Sequence, residues 1–326
     1  MMMKHDSRHP PVSIVIPTRD RCADLQHTLE TVIAQDYPEG CCEVIVVDDG
    51  SKDATPTVVE RLESVARQSG KLLRRLSSGG RGTNAAVNLG VESSAAEVIV
   101  TMGDDTGTPP GWLKRLIAGL IDSHADAVSG PLRIPTPGPL LGKHREEIAA
   151  CVTEVSGPCY FEDGQMIPVA GNMAVWRRVF ERGMFDETLV PPVEEVDWAL
   201  RAAVRTEFVE DAWVWHCKGP ESFARKWVLR KVWKQGIVTG CWVRDYLRWP
   251  FPKRLALAGR SLRTSLRAFL HAGLKGCWGG MVVALGELAR AMALLGLLDR
   301  EGAGPGGASQ RESRSLAAAP PQRVTR

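Results

Sequence analysis

The stretches VSIVIPT, at Val12–Thr18, and VIVVDDGS, at Val44–Ser51, decide the fold class of this 326-residue chain. Each is a run of apolar, largely β-branched residues that ends at a turn-forming residue, which is typical of a buried strand. Between the two runs, apolar residues recur at helical spacing from Leu25 to Ile33. A strand, a helix and a second strand in this order predict a βαβ unit with parallel strands. Ligands of such sheets bind beyond the carboxyl ends of the strands, so Asp48 and Asp49 lie where a site is expected.

The same patterning continues through the first two-thirds of the chain. Strands are predicted near residues 12–16, 43–47, 72–76, 97–102 and 126–130, and helices near residues 23–35, 54–68, 83–92 and 111–123. The spacing of about 30 residues between strands suits successive βα units. Residues 131–168, rich in proline and glycine, are predicted to form a long loop with one helix near residues 143–152. A helix near residues 194–206 and short strands near residues 207–215 close this part of the chain.

The composition is that of an ordinary globular protein and excludes several classes. Apolar residues make up 44% and charged residues 24% of the chain, and the net charge of +3 is too small for a nucleic-acid-binding footprint. The eight cysteines include no C-x-x-C pair, so reduced thiols are expected rather than zinc sites or disulfides. Residues 1–10 are polar, lack the apolar segment of a signal peptide and are predicted to be disordered. These features predict a cytoplasmic protein.

A series of motifs resembles those of the family 2 glycosyltransferases. They are VSIVIPTRDR at Val12–Arg21, VIVVDDGSKDAT at Val44–Thr55, and the segments Arg81–Gly90, Met102–Leu113, Gly171–Arg178 and Glu194–His216. Each motif alone is weak, but their order along the chain is specific. The resemblance implies an α/β fold of the GT-A type, a Rossmann-like mixed sheet flanked by helices, over residues 11–220. It also implies an inverting enzyme that transfers a sugar from a nucleotide-sugar donor to a hydroxyl group.

Two strand-end loops carry most of the predicted donor-binding residues. The resemblance implies that Pro17, Thr18 and Asp20, after the first strand, contact the nucleobase and the ribose of the donor. Thr18 or Asp20 can equally cap the helix that follows, and an Arg-Asp dipeptide stands where the family commonly has Tyr-Asn. After the next strand, the resemblance implies that Asp48 accepts hydrogen bonds from the nucleobase and that Asp49 lies beside it. The alternative for these two aspartates is an acidic turn.

Two further segments are expected to contact the donor. Arg81 lies in a glycine-rich loop that opens a small-residue helix, and such a helix start attracts the negative charge of a diphosphate. The alternative is a turn with a solvated arginine. The resemblance implies that Asn172, in the segment GNMA at Gly171–Ala174, lines the donor sugar and the acceptor side. Its alternative is a Gly-Asn turn.

A metal site is predicted at the end of the strand that finishes with Met102. The resemblance implies that Asp104 and Asp105 hold Mg²⁺ or Mn²⁺ and, with it, the diphosphate of the donor. Carboxylate oxygens suit such cations. The first acidic position of the family motif is Gly103 here, which allows a weaker or altered dependence on metal. His216, which follows the last predicted strand, matches a position that contributes to the metal or diphosphate in many GT-A enzymes.

The catalytic base is predicted at Glu195 or Asp197. An acceptor hydroxyl has a high pKa, so a carboxylate must take its proton as the oxygen attacks the anomeric carbon. The segment Val193–Arg201 resembles the family motif in which an aspartate, replaced here by Glu195, is the base. Without the resemblance, these acidic residues would be interpreted as stabilising a helix N-terminus.

The C-terminal third has a different character. Residues 221–275 contain 13 lysines and arginines but only two acidic residues, with four tryptophans interleaved among them. Apolar residues recur at helical spacing from Phe223 to Val238. A basic amphipathic helix of this kind is typical of a membrane-surface element, and the alternative is a helix packed on the catalytic domain.

The last apolar segment is Gly276–Leu298. It is 23 residues long, but Glu287 and Arg290 interrupt it, which favours an interfacial hairpin with the preceding helix over a membrane span. Residues 221–300 are therefore predicted to form a basic helical extension that contacts the inner face of the cell membrane. Residues 301–326 are predicted to be a disordered tail.

The predicted function is transfer of a sugar from a nucleotide-sugar to a lipid-linked or surface glycan precursor, in cell envelope polysaccharide biosynthesis. Two alternatives remain open. One is a weakened or inactive nucleotide-sugar-binding protein of the same fold, which Gly103 and Glu195 allow. The other is a nucleotidyltransferase, which would need a glycine-rich G-G-x-G-T-R loop where this chain has Pro17–Asp20.

Overall fold

A computed structural model describes residues 9–135, 154–161, 164–219, 222, 224–275 and 278–298. The chain divides into two compact units, Met1–Val228 and Leu229–Arg326. The helix expected near residues 143–152 and the predicted tail at residues 301–326 lie outside the described residues.

The first unit is built on a seven-stranded mixed sheet. Its strands, in chain order, are β1 Val12–Thr18, β2 Cys42–Asp48, β3 Leu72–Ser77, β4 Val98–Met102, β6 Ala127–Ser129, β10 Asn172–Trp176 and β11 Thr206–Phe208. Their order across the sheet is β11-β6-β10-β4-β1-β2-β3. The remaining strands are β5 Thr106–Gly107, β7 Leu132–Arg133, β8 Cys159–Tyr160, β9 Met166–Ile167 and β12 Val214–His216. They form a small sheet with the order β5-β12-β7 and a two-stranded sheet that pairs β8 with β9. The predicted α/β fold with a mixed sheet is confirmed.

Helices cover both faces of the large sheet. They are α1 Cys22–Ile33, α2 Thr55–Gln68, α3 Thr83–Glu92, α4 Trp112–Asp122 and α5 Glu194–Arg201. Because alternate residues of a strand point to opposite faces, Ile14 and Ile16 of β1 pack with α1, α2 and α4, whereas Val15 packs with α3 and α5. The contact between α3 and β1 is close, since a Cβ atom at Gly90 would lie 2.4 Å from Cγ1 of Val15.

One strand of the large sheet, β10, begins where the alternative prediction was a Gly-Asn turn. Strand β10 runs antiparallel between β4 and β6, with Asn172 opposite Met102 and Val175 opposite Ala127. The first four residues of β10 are all buried. The segment therefore lacks the alternation of polar and apolar residues that would predict a strand with one exposed face. A short 3₁₀ helix at Arg177–Arg182 follows.

The carboxylate of Asp53 connects the loop after β1 with the loop after β2 through hydrogen bonds. Asp53 accepts hydrogen bonds from the backbone N–H of Cys22, at 2.8 Å, and from both the N–H and the hydroxyl of Thr55. Although burial acts in the opposite direction, these hydrogen bonds lower the pKa of Asp53 to about 2. The first turns of α1 and α2 are thereby fixed side by side, next to the ends of β1 and β2.

The second unit is helical. Helix α6, Arg225–Cys241, crosses the boundary between the units and is followed by α7, Phe251–Lys275, and α8, Trp278–Leu294. Glycines of α6 allow its backbone to approach α8 closely, because a Cβ atom at Gly236 would lie 2.3 Å from the carbonyl oxygen of Gly286. None of the helices, as far as they are described, is long and apolar enough to cross a membrane.

Candidate active site

A cleft of about 510 Å³ opens at the carboxyl ends of β1, β2 and β4. It is lined by Pro17, Thr18, Arg19, Arg21, Asp49, Gly82, Thr83, Gly103, Asp104, Asp105 and Lys218. These residues belong to five separate segments of the chain: three follow β1, β2 and β4 of the large sheet, one opens α3, and Lys218 follows β12 of the small sheet.

Asp104 and Asp105, the acidic pair, form the buried wall of the cleft. Oγ1 of Thr18 donates a hydrogen bond to Oδ2 of Asp104 at 2.8 Å. Arg21 bridges the pair: its Nη1 lies 2.9 Å from Oδ1 of Asp104, and its Nη2 lies 3.0 Å from Oδ2 of Asp105. Nζ of Lys218 lies 2.5 Å from Oδ2 of Asp105. Two buried negative charges are therefore compensated by Arg21 and Lys218, the basic pair.

The two carboxyl groups of the acidic pair differ in their electrostatics. Burial raises the pKa of Asp104 to about 6, against the opposing effect of the Arg21 charge. Burial also acts to raise the pKa of Asp105, but hydrogen bonds and charges from His216 and Lys218 outweigh it and hold that pKa well below its usual range. Nε2 of His216 lies 3.4 Å from Oδ1 of Asp105. Asp105 thus keeps its negative charge to a lower pH than Asp104 does.

Asp48 and Asp49, at the end of β2, have separate roles. Asp48 accepts hydrogen bonds from the N–H of Ser51 at 2.8 Å and from Nη1 of Arg75 at 3.0 Å. Asp49 accepts from the hydroxyl of Ser78 at 2.7 Å and from the N–H of Gly82 at 3.1 Å, immediately before α3. Asp49 therefore fixes the start of α3 at the cleft.

The acidic residues at the start of α5 lie near the end of β4. Oε1 of Glu195 accepts a hydrogen bond from the N–H of Ala170 at 3.2 Å, and the carbonyl of Ala170 accepts one from Thr101 at 2.8 Å. Burial raises the pKa of both Glu194 and Glu195, and the charge of Glu194 raises that of Glu195 further. Asp197, in contrast, is buried and forms an ion pair of 2.7 Å with Arg201.

Comparison with known proteins identifies the family. A model of "Glycosyl transferase family 2" matches residues 13–188. The chain belongs to glycosyl transferase family 2. The family prediction is therefore confirmed.

Individual relatives of this family 2 chain cover only part of it. It is 30% identical over 128 residues to glycosyltransferase AglE of Haloferax volcanii, which is 39% of this chain and 41% of AglE. It is also 30% identical over 114 residues, 35% of this chain, to an undecaprenyl-phosphate 4-deoxy-4-formamido-L-arabinose transferase of Aeromonas hydrophila. The chain spans 34% of that relative.

A solved structure with a similar fold is the mannosyltransferase PcManGT of Pyrobaculum calidifontis, determined in complex with GDP-Man and Mn²⁺. The TM-score is 0.60 at 19% identity, and the match covers 89% of this chain and 87% of PcManGT. At this identity, the similarity supports the fold.

The cleft gathers about half of the predicted donor and metal residues of this family 2 chain. Pro17, Thr18, Asp49, Asp104 and Asp105 line it. His216 is not among the lining residues but contacts Asp105 behind the cleft wall. Asp20, Asp48 and Arg81 also lie outside the lining.

The predicted residues outside the lining are held by the protein itself. Oδ1 of Asp20 accepts from the N–H of Lys52 at 2.6 Å, and Nε of Arg81 donates to the carbonyl of Ser78 at 3.1 Å. Asn172 is fully buried, and its amide contacts the carbonyls of Pro131 and Ala212 and the indole N–H of Trp112. Their donor contacts stay predictions, and for Asn172 the geometry supports a structural role.

Arg21 and Lys218 are not among the residues that the motifs predict for the site. Arg21 directly precedes α1, and Lys218 is two residues beyond β12. A backbone hydrogen bond of 2.7 Å from Cys217 N–H to the carbonyl of Asp105 fixes that segment against the acidic pair. The missed signal was position, since each basic residue follows the end of a strand, Arg21 after β1 of the large sheet and Lys218 after β12 of the small sheet.

Proposed function

We propose that this chain is an inverting glycosyltransferase that moves a sugar from a nucleotide-sugar donor to a hydroxyl group of a glycan or lipid-linked precursor. The observation that carries the proposal is the cleft in which the acidic pair, the basic pair and the start of α3 meet, within a chain of glycosyl transferase family 2. Family membership also favours this activity over the nucleotidyltransferase alternative.

The donor would bind along the strand ends. The start of α3 offers backbone N–H groups and the positive end of a helix dipole, which favour a diphosphate. Gly82 and Thr83 line the cleft at this point, as do the acidic and basic pairs. The β1 loop, with Pro17 and Thr18, and the β2 loop, with Asp49, would then receive the nucleoside.

The site is suited to a divalent cation. Carboxylate oxygens are ligands that Mg²⁺ and Mn²⁺ prefer, and Asp104 and Asp105 supply them in the cleft. Within the described residues, no three acidic, imidazole or thiol groups are gathered for a metal ion. That arrangement suits Mg²⁺ chemistry, in which one or two carboxylates act together with substrate phosphates and waters. When bound, the cation would neutralise negative charge that develops on the leaving diphosphate.

Glu195 would act as the general base. In its ionised form it takes the proton of the acceptor hydroxyl, whose oxygen bonds to the anomeric carbon as the bond from that carbon to the diphosphate oxygen breaks. A single displacement of this kind inverts the configuration at that carbon. The raised pKa of Glu195 brings the carboxylate closer to the pH at which a base works best. Asp197 is the weaker candidate, because its ion pair with Arg201 occupies it.

A lipid-linked acceptor is the proposed substrate class. The name of the Aeromonas relative refers to undecaprenyl phosphate, a lipid carrier. A succinoglycan biosynthesis protein of Rhizobium meliloti, 26% identical over 194 residues, adds a polysaccharide pathway among the relatives. These names support the proposal that the chain acts in cell envelope polysaccharide biosynthesis, and we propose the inner face of the membrane as its location.

Helix α7 supplies the membrane contact in this proposal. Its large apolar residues recur at helical spacing yet are 42% to 60% exposed: Phe251, Leu255, Leu262, Leu266, Phe269 and Leu270. Exposed arginines, among them Arg263 and Arg267, lie beside this apolar stripe, and α7 contains no acidic residue. An exposed apolar stripe flanked by arginines matches the boundary between acyl chains and anionic headgroups. The stripe predicted on α6 is less suitable, because Ile237 and Val238 are buried.

The alternative is a protein that binds nucleotide-sugars without transferring the sugar. Gly103, which stands at the first acidic position of the family motif, is the residue that allows this alternative. A Cβ atom at Gly103 would lie 2.9 Å from Oδ1 of Asp105, so an aspartate at this position would require Asp105 to move. A screen of nucleotide-sugars for binding and for release of nucleoside diphosphate, with and without Mn²⁺, separates the two functions. Binding with release supports the transferase, and binding without release supports the alternative.

A further inference from the structure

The oxygen atoms of the acidic pair are all in contact with side chains of the protein. Asp104 accepts from Thr18 and Arg21, and Asp105 contacts Arg21, His216 and Lys218. A cation that binds these carboxylates directly must therefore displace some of these groups.

The basic pair carries the same total charge as the divalent cation that would replace it at the acidic pair. Arg21 and Lys218 together carry two positive charges, which equals the charge of Mg²⁺ or Mn²⁺. Both line the cleft, and their side chains are 37% and 17% exposed. Burying the acidic pair without such compensation would be costly, so removal of the basic pair from the carboxylates requires a replacement cation.

We propose that Arg21 and Lys218 are resident counter-ions of the acidic pair, which transfer to the diphosphate of the donor when a divalent cation takes their place. The proposal rests on the proposed function and adds two residues to it. Guanidinium and ammonium groups are hydrogen-bond donors only, and phosphate oxygens are strong acceptors, so the exchange leaves every charge paired. Neither the cation nor the donor alone completes the exchange.

The exchange couples the binding of the divalent cation to the binding of the diphosphate donor. Without a diphosphate, the cation has to compete with Arg21 and Lys218 for the oxygens of Asp105, so it binds weakly. With a diphosphate present, the displaced groups gain new acceptors and the competition is relieved. By thermodynamic linkage, the cation strengthens donor binding by the same factor.

The test measures Mn²⁺ binding to the nucleotide-free protein by electron paramagnetic resonance. Lys218→Met removes the charge but keeps the length of the side chain, so the variant should bind Mn²⁺ at least about fivefold more tightly than wild type, the lower end of typical coupling. With Mn²⁺ present, the same variant should bind UDP or GDP more weakly. Lys218→Arg should behave like wild type in both measurements.

The matched control is Lys114→Met. Lys114 is also paired with an aspartate, Asp36, but lies outside the cleft lining, so neither affinity should change. Unchanged or weaker Mn²⁺ binding by Lys218→Met would overturn the proposal, as would undiminished binding of both nucleotides. If Lys218→Met is misfolded by circular dichroism, Arg21→Met is measured in its place against the same criteria.

The experiment separates this proposal from the proposed function. Wild-type protein that binds neither UDP nor GDP at any Mn²⁺ concentration would count against the donor site. The Mn²⁺ measurement without nucleotide still decides whether the basic pair competes with the cation.

Discussion

At the scale of single residues, carboxylates of similar appearance in the sequence have different surroundings. Asp49 and Asp197 are held by groups that shape the fold, namely the start of α3 and Arg201. Asp105 faces the cleft with its charge held by Lys218 and His216, whereas no basic side chain among the described residues pairs with Glu195, which accepts a hydrogen bond from the N–H of Ala170. This contrast in partners is why Asp105 and Glu195 carry the proposed chemistry.

Asp105→Asn should abolish the part of nucleotide binding that depends on Mn²⁺. The substitution keeps the shape of the side chain but removes the charge that the metal would share with the diphosphate. Calorimetric titration of UDP and GDP with and without Mn²⁺ measures the effect. Asp36→Asn, which changes an exposed aspartate paired with Lys114, is the control. Retention of full Mn²⁺-dependent binding by Asp105→Asn would refute the metal assignment.

Glu195→Gln should reduce turnover by about 10²–10⁴, the usual contribution of general base catalysis, while donor binding persists. Asp197→Asn should instead lower thermal stability, because Arg201 loses its buried partner. Rates and melting temperatures of both variants are compared with wild type. A large rate loss in Asp197→Asn with near-normal Glu195→Gln would move the role of base to Asp197.

The pH dependence of turnover should show an acidic limb well above the ordinary glutamate pKa of about 4.3. Burial and the charge of Glu194 raise the pKa of Glu195, so the base is still protonated, and inactive, at a pH where an ordinary glutamate is ionised. Below its pKa the rate falls about tenfold for each pH unit. Glu194→Gln removes the neighbouring charge and should move the limb to lower pH. If the acidic limb of the Glu194→Gln variant lies at the same pH as that of wild type, the charge of Glu194 does not raise the pKa of the base.

At the scale of elements, what the sequence could predict depended on periodicity. Strands β1, β2 and β4 are continuous apolar runs, and α1 and α2 have a clear apolar face, so their positions follow from the sequence. The position of strand β10 does not follow from the sequence, because its pairing with β4 and β6 depends on partners that are distant in sequence. The burial of Asn172 follows from the same pairing and was equally hidden. The ion pairs of Arg21 and Lys218 with the acidic pair depend on tertiary structure that periodicity does not encode.

Helix α7 should bind anionic vesicles through its exposed apolar stripe. Leu266→Asp places a negative charge in that stripe and should weaken co-sedimentation with vesicles that contain phosphatidylglycerol. High salt should also weaken binding, because the Debye length falls from about 8 Å at physiological ionic strength to about 3 Å at 1 M. Val65→Asp alters an exposed apolar residue of α2 and should have no effect. Equal binding of Leu266→Asp and wild type would return α7 to a role in packing or in contact with another protein.

At the scale of the whole molecule, we expect the two units to contribute different parts of the proposed function. The family match, residues 13–188, falls within the first unit, which also contains the cleft and the predicted base. The second unit contributes the exposed stripe of α7 and most of the basic extension. We expect the first unit to determine the chemistry and the second to determine where the acceptor is met.

Release of nucleoside diphosphate from a panel of nucleotide-sugars, with Mn²⁺ and with water as the acceptor, tests the central claim most directly. Wild-type protein should slowly hydrolyse at least one donor, and Glu195→Gln should bind that donor but release its nucleoside diphosphate about 10²–10⁴ times more slowly. If wild type binds a nucleotide-sugar and releases no nucleoside diphosphate, or if Glu195→Gln releases it as fast as wild type, the proposed mechanism is contradicted.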